Sequence, residues 1–189
     1  FSVGALFAQQ INQKDANGLR QGLWKKLYPN SQQLRYQGSF LDDKEVGTFS
    51  FYCQSCAEQP FCVKEFSVNA PTQVRYYNQT GDLVSEGLMS GKQRIGVWLI
   101  FHENSQKVMT RELYVSDKLH GEITTYYLSG EIIETTTYIN GLKQGKSSYY
   151  APNGVKLKEL SYNNDLLDGP AAYYSHTGML TMKGDYKNG

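Results

Sequence analysis

Small, bulky apolar and aromatic residues recur along this chain at an interval of 24 or 25 residues. With Gly145 as the reference, the starting positions of seven repeats are Gly22, Gly47, Thr72, Gly96, Gly121, Gly145 and Gly169. Nine residues after each start, at position nine, the residue is always small: Ser31, Cys56, Gly81, Ser105, Gly130, Gly154 and Gly178. A period of this length indicates a repeat architecture, in which each repeat buries its apolar face against its neighbours.

Two further positions carry the apolar pattern. Position two is bulky and apolar in the first five repeats and small in the last two: Trp24, Phe49, Val74, Trp98, Ile123, Ser147 and Ala171. Position five is aromatic in six of the seven repeats: Leu27, Tyr52, Tyr77, Phe101, Tyr126, Tyr150 and Tyr174. Because position five is so uniformly aromatic, we expect it to form the core.

Position four supplies a second set of aromatic residues. Side chains alternate between the two faces of a strand, so position four is expected to face away from position five. A sheet of a single layer leaves one such face partly exposed, and exposed aromatic residues are typical of interfaces. The candidate partner-binding face therefore consists of Phe51, Tyr76, Tyr149 and Tyr173.

Turn-forming residues divide each repeat into two strands. Pairs that favour positive φ and tight hairpins include Asn17-Gly18, Ser90-Gly91, Asn140-Gly141 and Asn188-Gly189. Gly145 lies inside a strand segment, where glycine indicates a bend or a close backbone approach. The sequence therefore predicts an all-β fold, an elongated single-layer antiparallel sheet of about seven tandem β-hairpins over residues 17–189. The second repeat departs from the pattern at about residues 53–71.

Composition argues against several classes of function. A net charge of +1 and 20% charged residues give no electrostatic basis for binding nucleic acid. Fifteen tyrosines and 18 glycines suit strands and turns. No apolar run reaches the roughly 18 to 20 residues of a membrane-spanning helix, although a membrane-proximal location stays open.

The first eight residues, Phe1 to Ala8, are apolar and small and are followed by polar Gln9 and Gln10. This pattern predicts the remnant of a signal peptide at 1–8, with a lead-in segment at 9–16. The expected location is therefore outside the cytoplasm, in the periplasm or at the outer membrane. If residues 1–8 are instead a retained strand, the protein is cytoplasmic.

The three cysteines, Cys53, Cys56 and Cys62, all lie in the irregular second repeat. The Cys-x-x-Cys spacing is compatible with half of a zinc site, but a structural site needs four ligands and His102 lies two repeats away. In an oxidising compartment one disulfide among the three is the favoured interpretation, with its pairing open. Free thiols are the alternative.

No catalytic, cofactor-binding or metal-binding residues are predicted. His102, His120 and His176 occupy three different repeat positions and have no common acidic or serine partner in register. Gly141 and Gly145-Lys146-Ser147 approach the phosphate-binding loop, but only three residues separate the glycines where that motif needs four. We therefore expect a protein that is not an enzyme, and no small-molecule ligand is evident.

Several repeats share a family resemblance. Asn140-Gly141-Leu142-Lys143-Gln144-Gly145, followed by Tyr149-Tyr150, Asn153-Gly154 and Glu159, resembles the bacterial variant of the MORN repeat. Gln21-Gly22-Leu23-Trp24 and Ile95-Gly96-Val97-Trp98 resemble its Gly-x-Trp form. The resemblance extends over about residues 17–189 and implies a scaffold rather than an enzyme.

The expected function is a non-catalytic scaffold that binds another protein, as an accessory subunit of a bacterial cell-envelope assembly. Many bacterial proteins of this kind are classed as antitoxins, so a protein that neutralises a cognate toxin is the first alternative. A module that binds carbohydrate or a lipid surface through its tyrosines is the second alternative.

Overall fold

The computed structural model describes residues 10–54 and 59–189, and it is built from β-strands joined by turns. The expected signal-peptide remnant at 1–8 lies outside the described residues, as does Cys56. No helix with the length and hydropathy needed to span a bilayer occurs in the described part of the chain. The chain divides into two compact lobes, an N-terminal lobe that ends at Gly81 and a C-terminal lobe that begins at Asp82.

The N-terminal lobe is an antiparallel sheet in which each strand pairs with the next along the chain. Its strands are β1 (Gln13–Lys14), β2 (Arg20–Leu27), β3 (Leu34–Leu41), β4 (Lys44–Phe51), β5 (Cys62–Phe66) and β6 (Thr72–Tyr77). The predicted irregularity falls on the connection between β4 and β5, which is longer than the other hairpin turns of this lobe.

The C-terminal lobe has the same antiparallel pairing of successive strands, and it includes two strands of only two residues, Lys118–Leu119 and Leu166–Leu167. Longer strands continue the ladder past these short pieces, because β11 also pairs with β9 and β16 with β14. The strands are β7 (Leu83–Ser90), β8 (Gln93–Phe101), β9 (Val108–Val115), β10 (Lys118–Leu119), β11 (Gly121–Tyr126), β12 (Ile132–Ile139), β13 (Leu142–Tyr150), β14 (Lys156–Asn163), β15 (Leu166–Leu167), β16 (Gly169–Tyr174) and β17 (Leu180–Tyr186). The prediction of an all-β chain of tandem antiparallel hairpins is confirmed.

The tight turns use residues with positive φ, as the hairpin geometry requires. Asn140 and Gly141 have φ of 54° and 90°, as expected from the sequence. Asp42 and Asp43 form a turn of the same kind with φ of 50° and 63°. Asp43 is held there because Arg20 donates to its carboxylate from both the backbone N–H and Nε, at 3.0 and 2.6 Å.

The starting glycine of a repeat bends its strand. Gly145 has φ of 82°, and the register between β12 and β13 shifts alongside it, between Thr136 and Tyr138. No atom lies within 4 Å of the position that a Cβ would take at Gly145. Of the two roles that the sequence left open, Gly145 therefore provides a bend and not a close backbone approach.

The most buried residues are those of position two, so the expectation that position five forms the core is wrong. Position two is buried in six repeats: Phe49, Val74, Trp98, Ile123, Ser147 and Ala171. Of the position-five residues only Tyr52 is buried. The reason is geometric, since position two lies in the middle of its strand with neighbours on both sides, whereas position five lies at the strand end beside the turn.

Candidate functional site: the aromatic face of each lobe

The ladder register assigns each side chain to one of two faces. Residues paired across an antiparallel ladder share a face, as do residues two apart on one strand. Ser147 pairs with Leu160 and Tyr149 pairs with Lys158, so positions two and four lie together. We call this face, which carries most of the buried residues, the aromatic face, and the opposite one the polar face.

In the N-terminal lobe the aromatic face centres on Phe49, which is 1% exposed. Its ring makes edge contacts with Phe40 and Phe66, at centroid distances of 5.1 and 5.3 Å. Gly38 lies beneath the Phe49 ring, because a Cβ at Gly38 would come within 2.3 Å of the ring atoms. This face is therefore a packed aromatic cluster, and two cations lie beside its rings: Arg20 Cζ is 3.7 Å from the Phe40 centroid and Lys64 Nζ 5.8 Å from the Phe51 centroid.

The C-terminal lobe begins with the same arrangement, a bulky ring packed against a glycine of the neighbouring strand. Trp98 lies against Gly87, where a Cβ would meet the indole at 2.4 Å, and its Nε1 donates to the carbonyl of Leu88 at 3.0 Å. Tyr114 contacts Trp98 edge-on at 6.5 Å. A bulky ring at position two thus requires glycine on the neighbouring strand.

Beyond Tyr114 the buried row consists of aliphatic and hydroxyl-bearing side chains instead of aromatic ones. A central row crosses five strands and is buried throughout, consisting of Ile123, Thr136, Ser147, Leu160 and Ala171. The Thr136 hydroxyl lies 2.7 Å from the Ser147 hydroxyl and donates to the Glu134 carboxylate at 2.6 Å. The centre of this face is therefore a hydrogen-bonded network instead of an aromatic cluster.

A row of aromatic residues lies directly across the ladder from the starting glycines. The cross-strand pairs are Gly22 with Phe40, Gly47 with Phe66, Gly96 with Tyr114, Gly121 with Tyr138, Gly145 with Tyr162, and Gly169 with Tyr186. An aromatic ring beside a strand glycine replaces the packing that glycine lacks. Sequence reasoning missed this row, although the spacing of Tyr114, Tyr138, Tyr162 and Tyr186, at 24 residues, is a signal for it.

The tyrosine hydroxyls of the C-terminal lobe are linked across the central row. The hydroxyls of Tyr173 and Tyr186 lie 3.1 Å apart. Burial raises the pKa of Tyr149, and so do its hydrogen bonds and charge interactions with Glu134 and Tyr162. These tyrosines cover the small side chains of Ser147 and Ala171, which are 0% and 3% exposed.

Charged groups border the tyrosines. Arg94 Nη1 donates to the Tyr114 hydroxyl at 2.6 Å, and that hydroxyl donates to Glu112 Oε2 at 2.8 Å. Burial and the hydrogen bond to Glu112 raise the pKa of Tyr114 to about 12. Lys158 Nζ lies 4.0 Å from the centroid of the Tyr149 ring. The face thus combines half-buried rings with carboxylates and cations.

The four predicted partner-binding residues lie on this aromatic face. Phe51, Tyr76, Tyr149 and Tyr173 are half-buried, and they accompany the core residues instead of facing away from them. The prediction that the core lies on the face of position five was therefore wrong. Positions four and five face opposite sides of the sheet at the end of β4. Phe51 lies on the aromatic face, whereas the Tyr52 hydroxyl accepts a hydrogen bond from Gln37 Nε2 at 3.1 Å on the polar face.

The sulfur and imidazole groups are separated in the structure. Cys53 is disulfide-bonded, whereas Cys62 is a buried free thiol on the aromatic face and is therefore not part of a disulfide. His102 Nε2 lies 3.0 Å from the carbonyl of Tyr126. Within residues 10–54 and 59–189, no three His, Cys, Asp or Glu side chains are grouped as a metal site would require.

A protein-family model matches two repeats of this chain. The MORN repeat variant model matches residues 119–140 and 143–164, which span β11 to β14 and include Tyr138, Tyr149 and Tyr162. Comparison with curated proteins finds no match.

Solved structures similar to this chain include TarM. The crystal structure of TarM is 18% identical over 57% of this chain and 22% of TarM, with a TM-score of 0.37. A mutant of S. aureus TarM in complex with Fondaparinux, alpha-GlcNAc-glycerol and UDP gives the same values. This chain therefore spans less than a quarter of TarM, and a TM-score of this size carries no argument about function.

Proposed function

We propose that this protein is a non-catalytic repeat scaffold that binds another protein through the aromatic face of its C-terminal lobe. The observation that carries the proposal is the set of half-buried tyrosines on that face: Tyr138, Tyr149, Tyr162, Tyr173 and Tyr186. The two MORN-variant repeats of this lobe fit a scaffold, because repeat arrays of this kind present extended surfaces for binding.

The chemistry of tyrosine supports a protein partner. Tyrosine combines a large apolar ring with a hydroxyl that donates and accepts, and it is enriched at protein interfaces. Its side chain has few rotatable bonds, so immobilising it on binding costs little conformational entropy. On this face the hydroxyl pair of Tyr173 and Tyr186 already restricts both rings.

Buried hydroxyls at Thr136 and Ser147 distinguish the aromatic face of the C-terminal lobe from that of the N-terminal lobe, whose rings also have cations beside them. Phe40, Phe49 and Phe66 pack against one another in the N-terminal lobe. In the C-terminal lobe, carboxylates at Glu112 and Glu134 and the cation at Lys158 stand beside the tyrosines. A partner surface that carries both apolar and charged side chains matches such a face.

The cellular setting is part of the proposal. The apolar segment at 1–8 supports export, and we propose that the partner belongs to a bacterial envelope assembly. Fractionation of cells that express the protein from its native gene tests the location. Recovery with the periplasm or outer membrane is expected, and recovery with the cytoplasm would contradict the envelope role.

Affinity purification with paired variants tests the binding face. Tyr173 and Tyr174 are adjacent in β16, so alternation of side chains puts Tyr173 on the aromatic face and Tyr174 at the strand end on the other side. We expect Tyr173→Ala to lose a partner that the wild-type protein retains in stoichiometric amount, and Tyr174→Ala to keep it. Equal retention by both variants, with the fold intact by circular dichroism, would contradict the proposal.

A further inference from the structure

A cavity of about 470 Å³ opens on the polar face of the C-terminal lobe, away from the tyrosines described above. It is lined by Leu99, Lys107, Val108, Arg111, Tyr126, Ser129 and Gly130. Leu99 pairs with Arg111, and Arg111 with Thr124, so these side chains share the polar face. The volume lies within the range of small-molecule sites, roughly 300 to 1,000 Å³.

The cavity combines an apolar wall with two cations. Leu99, Val108 and the ring of Tyr126 supply the apolar part, and the exposed side chains of Lys107 and Arg111 supply the charge. Among the described residues, neither Lys107 nor Arg111 forms an ion pair within 4 Å. Glu131 is close enough to Lys107 for the two charges to interact, and its carboxylate is engaged by hydrogen bonds from Ser129 and its own backbone.

In a later repeat, the residue at the register position of Arg111 is a carboxylate that forms ion pairs. Glu159 takes the place of Arg111, because Ser148 pairs with Glu159 as Leu99 pairs with Arg111. There Glu159 accepts from Lys146 at 2.8 Å and from Lys156 at 2.7 Å. Both lysines of that repeat pair with one carboxylate, whereas Lys107 and Arg111 form no ion pair among the described residues and lie beside an apolar wall.

We propose that this cavity binds a small organic anion, a carboxylate with an aryl or short alkyl body. The guanidinium of Arg111 offers a planar fork of donors that matches a carboxylate, and Lys107 adds a second donor. The body of the ligand would lie against Leu99, Val108 and Tyr126.

Titration followed by ¹H–¹⁵N NMR tests this site, with naphthalene-2-carboxylate as the probe and naphthalene-2-carboxamide as its neutral counterpart. We expect the carboxylate to shift amide resonances around Val108, Arg111 and Tyr126. The carboxamide should bind about tenfold more weakly, because hydrogen bonds to a charged group are stronger than those between neutral groups.

Arg111→Gln should weaken carboxylate binding about tenfold and leave carboxamide binding unchanged. Lys183→Gln is the matched control, because Lys183 occupies the register position of Arg111 in β17 and pairs with Ala172 instead of a leucine. Lys107→Gln serves as the second test should Arg111→Gln alter the fold. Equal affinity for the two probes, shifts confined to other strands, or no binding at millimolar probe would each overturn the proposal.

Discussion

Gly145 in β13 and Tyr162 in β14 lie directly opposite each other across the ladder. The same pairing of a starting glycine with an aromatic residue recurs in five other repeats. The glycine allows the positive φ that bends its strand, and the ring covers the gap left by the missing side chain. Each repeat therefore depends on a backbone position and a side chain that lie 17 to 19 residues apart in sequence.

Gly145→Ala is expected to destabilise the protein by about 1–2 kcal/mol, because a side chain raises the energy of the left-handed conformation. The space around the added methyl is open, so strain at φ of 82° is the cause and not a steric clash. Urea denaturation measures the loss. Gly184→Ala is the control, since Gly184 also has open space around it and has no positive φ. Equal stability of the two variants would show that the bend needs no glycine.

Tyr149 and Tyr150 differ in what they cover, although they are adjacent. Tyr149 covers buried Ser147 and bonds Glu134, whereas Tyr150 lies at the strand end opposite Lys156. Tyr149→Ala should therefore cost about 2 kcal/mol, less than the 3–5 kcal/mol of a fully buried aromatic residue, and Tyr150→Ala about 1 kcal/mol. Thermal or urea unfolding of both variants measures the two losses of stability. A larger loss for Tyr150→Ala would indicate that position five, and not position four, packs with the core.

The Thr136 hydroxyl links two groups in the central row. Thr136→Val removes it and leaves the fully buried Ser147 hydroxyl without its partner, at an expected cost of about 1–3 kcal/mol. The double variant Thr136→Val with Ser147→Ala should recover part of that loss, because no unpaired hydroxyl remains. A double variant whose losses simply add would show that the two side chains are energetically independent.

The ion pairs of Glu159 predict a pH-dependent contribution to stability. Hydrogen bonds from Lys146 and Lys156 lower the pKa of Glu159 to about 2, from 4.5. A lowered pKa means that the stabilisation is complete above the unfolded value of 4.5 and is lost as pH falls toward 2. Glu159→Gln should therefore cost about 1 kcal/mol at pH 7, and the difference from wild type should vanish near pH 2. A difference that is independent of pH would contradict this.

The sequence was sufficient for the fold, because hairpin turns and strand periodicity are local signals. Asn140-Gly141 forms the predicted turn, and Gly145, for which the sequence left a bend or a close backbone approach open, bends its strand. The face of the core was predicted wrongly, because uniform aromatic character at position five does not by itself indicate burial. Burial instead follows position along the strand, and Ser147, a small polar residue, is more buried than Tyr150.

The row of tyrosines opposite the glycines was missed for a related reason. The repeat pattern is clearest in the first strand and turn of each repeat, whereas Tyr138 and Tyr162 lie near the end of the second strand. Their pairing with Gly121 and Gly145 depends on the register between strands, which turn geometry sets and periodicity alone does not give. The cavity at Arg111 likewise depends on residues from three strands and two turns.

Site-specific photocrosslinking tests most directly the claim that the aromatic face of the C-terminal lobe binds a protein. Benzoyl-phenylalanine would replace Tyr173 in one sample and Tyr174 in another, and cells would be irradiated with the protein in its native setting. The account predicts a crosslinked partner of defined mass from position 173 and little or none from position 174. Crosslinks from position 174 alone would place the partner on the polar face and contradict the account.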